Sequence, residues 1–336
     1  MKKILLSFVV VSLFLFSFTA GCKKTSPLTA PATATEIPPT ATVTATIAPT
    51  FPYSDLAAVP GGTYTQTDET GTNSFSHTVS AFKIGKYEVT YDLWYTVYQW
   101  AVLNGYTFIN AGTEGNAGIA GAAPTSSKYQ PVSTISWRDV IVWCNAYSEK
   151  SGLMPVYYSD AGLTAVIKIS TSGAAVDIAA GSVDNPYVNW NANGYRLPTE
   201  GEWQYAASYK DGSSWTPYNY ASGATADYND ATATNLVAWY NANSGSVIHD
   251  IGGKTANALD IYDMSGNIYE WCWDWDAAYP GASVNYTGPA TGSYKIVRGG
   301  FYNFGATFLQ VSRRNRNYGG PSATGYYIGF RIVRTY

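Results

Sequence analysis

Asp263 and Glu270 are two carboxylates seven residues apart in the stretch Asp263-Met-Ser-Gly-Asn-Ile-Tyr-Glu270. Around the turn at Gly266 both can converge on one hard cation, with backbone carbonyls completing an oxygen shell. The same residues also read as a tight turn that places Glu270 in a buried salt bridge. Sulfur and imidazole are scarce: the chain has three cysteines, Cys22, Cys144 and Cys272, and two histidines, His77 and His249. That inventory excludes three-histidine metal centres, zinc fingers and a disulfide framework. Cys144 lies on the apolar stripe of a helical pattern and Cys272 between Trp271 and Trp273, so both read as core thiols or as one disulfide. His77 and His249 belong to no triad or metal motif and read as surface or loop residues. Neither a Gly-x-Ser-x-Gly elbow nor a Walker loop occurs. Asp274 and Asp276 could pass for a glycosidase pair, but neighbouring acids in an aromatic turn are a commoner arrangement.

Something has to position these groups, and three helix starts are readable. Thr90 can cap a helix from Tyr91 to about Trp100. Ser136 with Asp139 opens a second, Trp137 to Ser148, whose Trp137, Val140, Ile141 and Cys144 form one stripe. Thr199 with Glu202 is a capping box for a short third helix carrying Trp203 and Ala206. Short strands, glycine turns and long loops fill the remainder, without the regular alternation of a parallel sheet, which predicts an α+β fold. Arg196, Glu200 and Glu202 stand among aromatics and persist in a core only if paired. Of the 336 residues 46% are hydrophobic and 13% charged, with 29 tyrosines, 11 tryptophans and 32 glycines. A net charge of −3 leaves no basic footprint, so no nucleic-acid partner is expected.

The N-terminus reads as an address. Lys2 and Lys3 precede the apolar run Ile4 to Phe18, followed by Thr19, Ala20, Gly21 and then Cys22. Residues 1–21 read as a secretory signal whose end resembles the bacterial lipoprotein cleavage box, making Cys22 the lipidation site and the membrane a partner through that lipid. Residues 22–52 are rich in Thr, Pro and Ala, cannot bury a core and read as an extended tether. Residues 53–336 read as one domain held clear of the bilayer, in the bacterial cell envelope, on the surface of an outer membrane.

Seven ordered blocks within Val59 to Arg334 carry a family resemblance. They are Val59-Pro-Gly-Gly62, Ile84-Gly-Lys-Tyr-Glu-Val-Thr90, Pro131-Val132 with Ile135-Ser-Trp137, Tyr195-Arg-Leu-Pro-Thr-Glu-Gly-Glu-Trp203, Tyr262 to Trp271, Arg298-Gly-Gly300 and Gly329-Phe-Arg331. The chain resembles the formylglycine-generating-enzyme, or sulfatase-modifying-factor, family. That resemblance implies a C-type-lectin-like fold with short twisted strands, two to three helices and long loops. It also implies a structural calcium ion held by the Asp263 side chain, the backbone oxygens of Gly266 and Ile268, and the Glu270 carboxylate, with Asn235 a possible ligand at a second site. The family's catalysts bind copper through two cysteines, five residues apart, shortly after the Arg-Gly-Gly block. Phe304 and Leu309 occupy those positions here, and neither side chain can form a thiolate. No catalytic residue and no copper are therefore expected.

Between Arg298-Gly-Gly300 and Ile328-Gly-Phe-Arg331 the composition changes to Phe, Tyr, Asn, Ser and Gly, and after Asp276 no acidic residue occurs. Rigid rings supply contact area at low entropic cost and amides supply adaptable hydrogen bonds, which predicts an exposed, adhesive face. The arrangement is similar to the variable proteins of diversity-generating retroelements, in which edited Asn codons yield such a palette. On that resemblance the ligand-binding positions, within a variable region of about 298–331, are Phe301, Tyr302, Asn303, Phe304, Gly305, Phe308, Arg314, Asn315, Asn317, Tyr318, Gly320, Ser322, Thr324, Gly325, Tyr326 and Tyr327. The ligand expected is a protein or a glycan. An inactive envelope lipoprotein of structural role and a divergent oxidase or sulfatase-maturation enzyme are the alternatives.

Overall fold

Four short strands open the domain: β1 (Leu56–Val59), β2 (Gly62–Thr67), β3 (Ser74–Val79) and β4 (Phe82–Gly85). They come from a computed structural model that describes residues 55–316 and 320–336. Cys22, Asn317, Tyr318, the leader and the tether lie outside the described residues. In β3 Phe75, His77 and Val79 face inward while Ser74 and Ser76 face solvent, the alternation of a half-buried strand. His77 is therefore a core residue and not the surface residue expected. Its Nδ1 meets Gln66 Oε1 at 2.8 Å, and its Nε2 accepts from the Tyr286 amide at 3.0 Å. Burial lowers its pKa, so the ring is neutral at pH 7.

All three expected helices are present. In α1 (Tyr91–Leu103) the Thr90 hydroxyl accepts from the Leu93 amide. Reciprocal capping boxes open α2 (Trp137–Lys150), through Ser136 and Asp139, and α3 (Glu200–Ser208), through Thr199 and Glu202. The pair β5 (Thr113–Glu114) and β6 (Val132–Ser133) precedes α2, and β7 (Tyr157–Tyr158) and β8 (Tyr187–Val188) follow it. One helix was not anticipated, the two-turn α4 (Ala231–Val237) capped by Asp230, whose Thr-rich sequence carries little periodic signal.

The stripe read in α2 was too narrow. Trp137, Val140, Ile141 and Cys144 are fully buried, but so are Arg138, Asp139, Val142, Trp143 and Asn145, because loops cover the helix on its other sides. Arg138 survives there by pairing bidentately with Asp184 and donating to the carbonyls of Thr171, Gly173 and Ala175. Trp143 of α2 stacks on Trp94 of α1 at 5.6 Å and 4°.

The C-terminal half adds β9 (Tyr269–Trp275), β10 (Ser283–Val284), β11 (Lys295–Arg298), β12 (Ile328–Gly329) and β13 (Val333–Arg334). Three sheets have the orders β1-β4-β13, β10-β3-β2 and β11-β9-β12. The first joins the two ends of the domain. In the third, β9 is central and pairs antiparallel with β11 and parallel with β12. The chain between β11 and β12 is the strip singled out above, so both of its ends are fastened to one buried strand. Cys144 and Cys272 are both buried and unbonded, and burial pushes both thiols up. Among the described residues no helix is long and apolar enough to cross a membrane.

Candidate ligand-binding face

After β11 the chain turns through Gly299 and Gly300, at φ +94° and +78°. A Cβ on Gly300 would stand 2.7 Å from the Phe308 carbonyl, so only glycine lets the strip fold back on itself here. Phe301 and Tyr302 then enter the main core, Asn303 is exposed, and a 3-10 turn, Ala306–Phe308, leads to Leu309. Leu309 is fully buried among Ala221, Ala224, Val237, Ala238 and Tyr240.

The rings assemble into one cluster. Phe301 is 4.2 Å from Phe304, 5.0 Å from Tyr327 and 5.3 Å from Tyr269. Phe308 is 4.5 Å from Phe304, and Tyr326 is 5.0 Å from Tyr327. Tyr326 is 52% exposed, Phe304, Phe308 and Tyr327 are half-buried, and Asn303 and Thr324 are exposed. This is a shallow face of rings standing on a buried base. The base corrects the expectation of an exposed strip: Phe301, Tyr302, Asn315 and Gly325 are buried. With Leu, Ile and Val scarce in the segment, Phe301 and Tyr302 supply the apolar volume that anchors it.

Beyond Leu309 the chain sends alternate side chains to two sides. The Arg313 guanidinium lies 4.8 Å from the Phe308 ring, and Asn315 donates to Tyr269 Oη at 2.9 Å. Arg314 instead pairs bidentately with Glu200, at 2.7 and 2.8 Å, and lies over Tyr279. Arg314 is therefore not brought to the ring cluster. Neighbouring Glu200 holds its pKa above the ordinary arginine value despite burial. Gly305 is half-buried beside Phe304, while Gly320 and Ser322 are half-buried farther along the strip.

Sequence reasoning missed how the strip is held. The Tyr302 carbonyl accepts from Ser244 Oγ at 2.7 Å, that of Phe304 from the Asn241 amide at 3.1 Å, and that of Gly325 from the Thr134 amide at 3.0 Å. The Leu309 carbonyl accepts from Ser265 Oγ, and the Ser312 carbonyl from Arg298 Nη1, each at 2.7 Å. The Tyr302 amide donates to the Asn267 carbonyl at 2.9 Å. In every one of these bonds the strip contributes main chain. These bonds fix much of its path without using its exposed side chains, while the buried rings of Phe301 and Tyr302 anchor its start. Tyr269, the ring that closes the base, belongs to the Tyr262–Trp271 block and gave no sequence signal separate from the core.

The turn expected to hold calcium is a different construction. Asp263, Gly266 and Asn267 all have positive φ, and a Cβ on Gly266 would collide with the Trp239 carbonyl. Glu270 is fully buried and its oxygens accept from Arg331 Nη2 at 2.6 Å, Arg331 Nε at 2.7 Å and the Trp203 indole at 2.7 Å. Asp263 accepts from the Gly252 amide through one oxygen, its other oxygen is buried and unpartnered, and burial raises its pKa to about 6. Glu88 is buried close by and accepts from Asn267 Nδ2 and the Ile268 amide. Among the described residues no three His, Cys, Asp or Glu side chains are placed to hold a metal ion. A calcium ion at these residues would compete with Arg331 for Glu270 and would meet the open oxygen of Asp263.

Residues 43–336 match the family described as the sulfatase-modifying factor enzyme 1-like domain. Over 303 residues the chain is 30% identical to the chaperone protein LppX of Paenibacillus barcinonensis, covering 84% of this chain and 89% of that protein. It is 30% identical over 188 residues to the formylglycine-generating enzyme of Streptomyces coelicolor, covering 48% of this chain and 56% of the enzyme. Among solved structures it is similar to Treponema denticola variable protein 1, with a TM-score of 0.66, 28% identity and coverage of 84% and 95% of the two chains. The C-type-lectin-like α+β architecture expected from the sequence is the one it shares with that structure.

Proposed function

Because the chain belongs to the sulfatase-modifying factor enzyme 1-like family, with Phe304 and Leu309 at the positions of its catalysts' thiols, we propose that it is a non-catalytic display protein of the cell envelope. Its ligand is gripped by the ring face of Phe304, Phe308, Tyr326 and Tyr327, and its lipid on Cys22 ties it to the outer membrane. The observation that carries this reading is the main-chain fastening of the strip. A segment held through its carbonyls and amides can exchange exposed side chains without losing its path, which is what a variable binding surface requires. Tyr326→Ala and Phe304→Ala should abolish binding of peptides or glycans selected on the wild-type face while the domain stays folded. Unfolding of both variants would assign the rings to the core and end this reading.

Catalysis is tested directly. Copper and oxygen with a cysteine-containing sulfatase peptide should give no formylglycine by mass spectrometry, and turnover would establish the enzyme alternative. Labelled palmitate should enter the wild-type chain and not Cys22→Ser. Calcium enters this reading only as a competitor of Arg331 for Glu270: melting should be unchanged between EGTA and excess calcium, and a rise with calcium would restore the metal at Asp263, Gly266, Ile268 and Glu270. The name of the Paenibacillus relative favours a second reading, in which the same ring face holds non-native polypeptide. Suppression of a client's thermal aggregation by the wild type and not by Tyr326→Ala would select it.

A further inference from the structure

A cleft of about 490 Å3 opens between the end of β3, the turn at Trp190 and Asn191, the start of α3 and the turn at Asn285. It shares no lining residue with the ring face. Its size is that of a small-molecule site. Arg196 and Glu202 form its floor as a bidentate pair, both bonds 2.7 Å long. Arg196 Nε is buried and has no hydrogen-bond partner. Glu202 Oε1 accepts from Arg196 Nη2, and a carboxylate oxygen can accept more than one bond. Trp190, half-buried, has the Arg196 guanidinium 5.3 Å from its ring and Trp273 edge-on at 5.6 Å. Asn191 and Asn285 stand exposed at the rim.

These features select a ligand by elimination. The floor pair is neutral as a unit, and His77 beside it is uncharged at pH 7 with both nitrogens occupied, so a charged ligand finds no opposite charge to spare. An apolar ligand would take the side-chain amide of Asn191 and the hydroxyl of Thr287 out of water without new partners, at a cost of about 1–3 kcal/mol per group. Hydroxyl groups both donate and accept, so a polyol satisfies donor and acceptor side by side. The Trp190 ring adds a flat apolar surface against which the C–H face of a pyranose can lie. We propose that this cleft binds a neutral pyranose sugar, independently of whatever the ring face holds.

The test is saturation-transfer NMR on the folded domain with methyl glucopyranoside, methyl galactopyranoside and N-acetylglucosamine, each at about 10 mM, suited to the weak affinity of a single ring. At least one probe should receive saturation, and Asn191→Arg, an exposed substitution that fills the mouth without touching the core, should reduce the signal at least about fivefold, equivalent to about 1 kcal/mol. Trp190→Phe should weaken it less. Tyr326→Ala should leave it unchanged, which separates this site from the ring face. No transfer to any of the three probes, or a signal that persists undiminished in Asn191→Arg, overturns the proposal.

Discussion

The turn at 263–270 leads into β9 and the strip at 301–327 follows β11, the two touch through Asn267 and Ser265, and they are held by different means. In the turn the fastening is charge: Glu270 and Arg331 are both fully buried and pair bidentately, with the Trp203 indole and the carbonyls of Gly85 and Tyr262 as their further partners. Neither can change alone, since the survivor would be an unpaired charge in the core. In the strip the fastening is main chain to framework, with rings stacked above it. The exposed side chains there can change one at a time. The contrast shows how a single fold can keep a rigid frame beside a replaceable surface.

Breaking the frame should give the largest effect. Arg331→Met strands Glu270 and should lower stability by about 3–5 kcal/mol in urea melts; a loss below about 1 kcal/mol would mean that the pair is not what holds the turn. Next comes the base of the strip, where Phe301→Ala should cost about 3–5 kcal/mol, as deletion of a buried ring does. If Phe301→Ala proved as mild as a surface change, the division between base and face would fail.

A third test uses pH. Burial, reinforced by the neighbouring Glu200 carboxylate, raises the Asp274 pKa to about 7. The unfolded chain ionises this group near pH 3.9, so between about 4 and 7 the folded state holds a proton that the unfolded state has lost. Its contribution to stability is complete below pH 4 and disappears as the pH rises to 7. Asp274→Asn keeps an acceptor for the Glu200 amide, a bond of 2.6 Å in the wild type, and should remove that decline. Parallel stability curves for the two proteins would show that Asp274 is ionised throughout. The smallest effect belongs to the face: Tyr326→Ala should change stability by no more than about 0.5 kcal/mol while abolishing ligand capture.

Capping boxes were legible because they are local: Ser136 with Asp139 and Thr199 with Glu202 satisfy orphan amides within one turn of helix. The α+β class and the ring-rich strip were legible from composition and order. What stayed hidden was non-local. Nothing near Arg314 announces Glu200, which is 114 residues away, and nothing near Glu270 announces Arg331, 61 residues on. His77 read as a surface residue because its partners, Gln66 and Tyr286, come from a neighbouring strand and a distant turn. Lys295 is the extreme case, a buried amino group 3.7 Å from the Trp275 ring centroid and 3.9 Å from that of Trp137, a position that no charge pattern in the sequence suggests. Phe301 and Phe304 look alike in sequence, and only the turn at Gly299 and Gly300 decides which ring faces inward.

A helix enclosed on nearly every side, as α2 is, has amide hydrogens that meet solvent only when the whole domain opens. Their exchange with deuterium is therefore a built-in gauge of global unfolding. Read against that gauge, a substitution that weakens capture while α2 exchange stays slow has altered recognition, and one that accelerates both has loosened the entire scaffold.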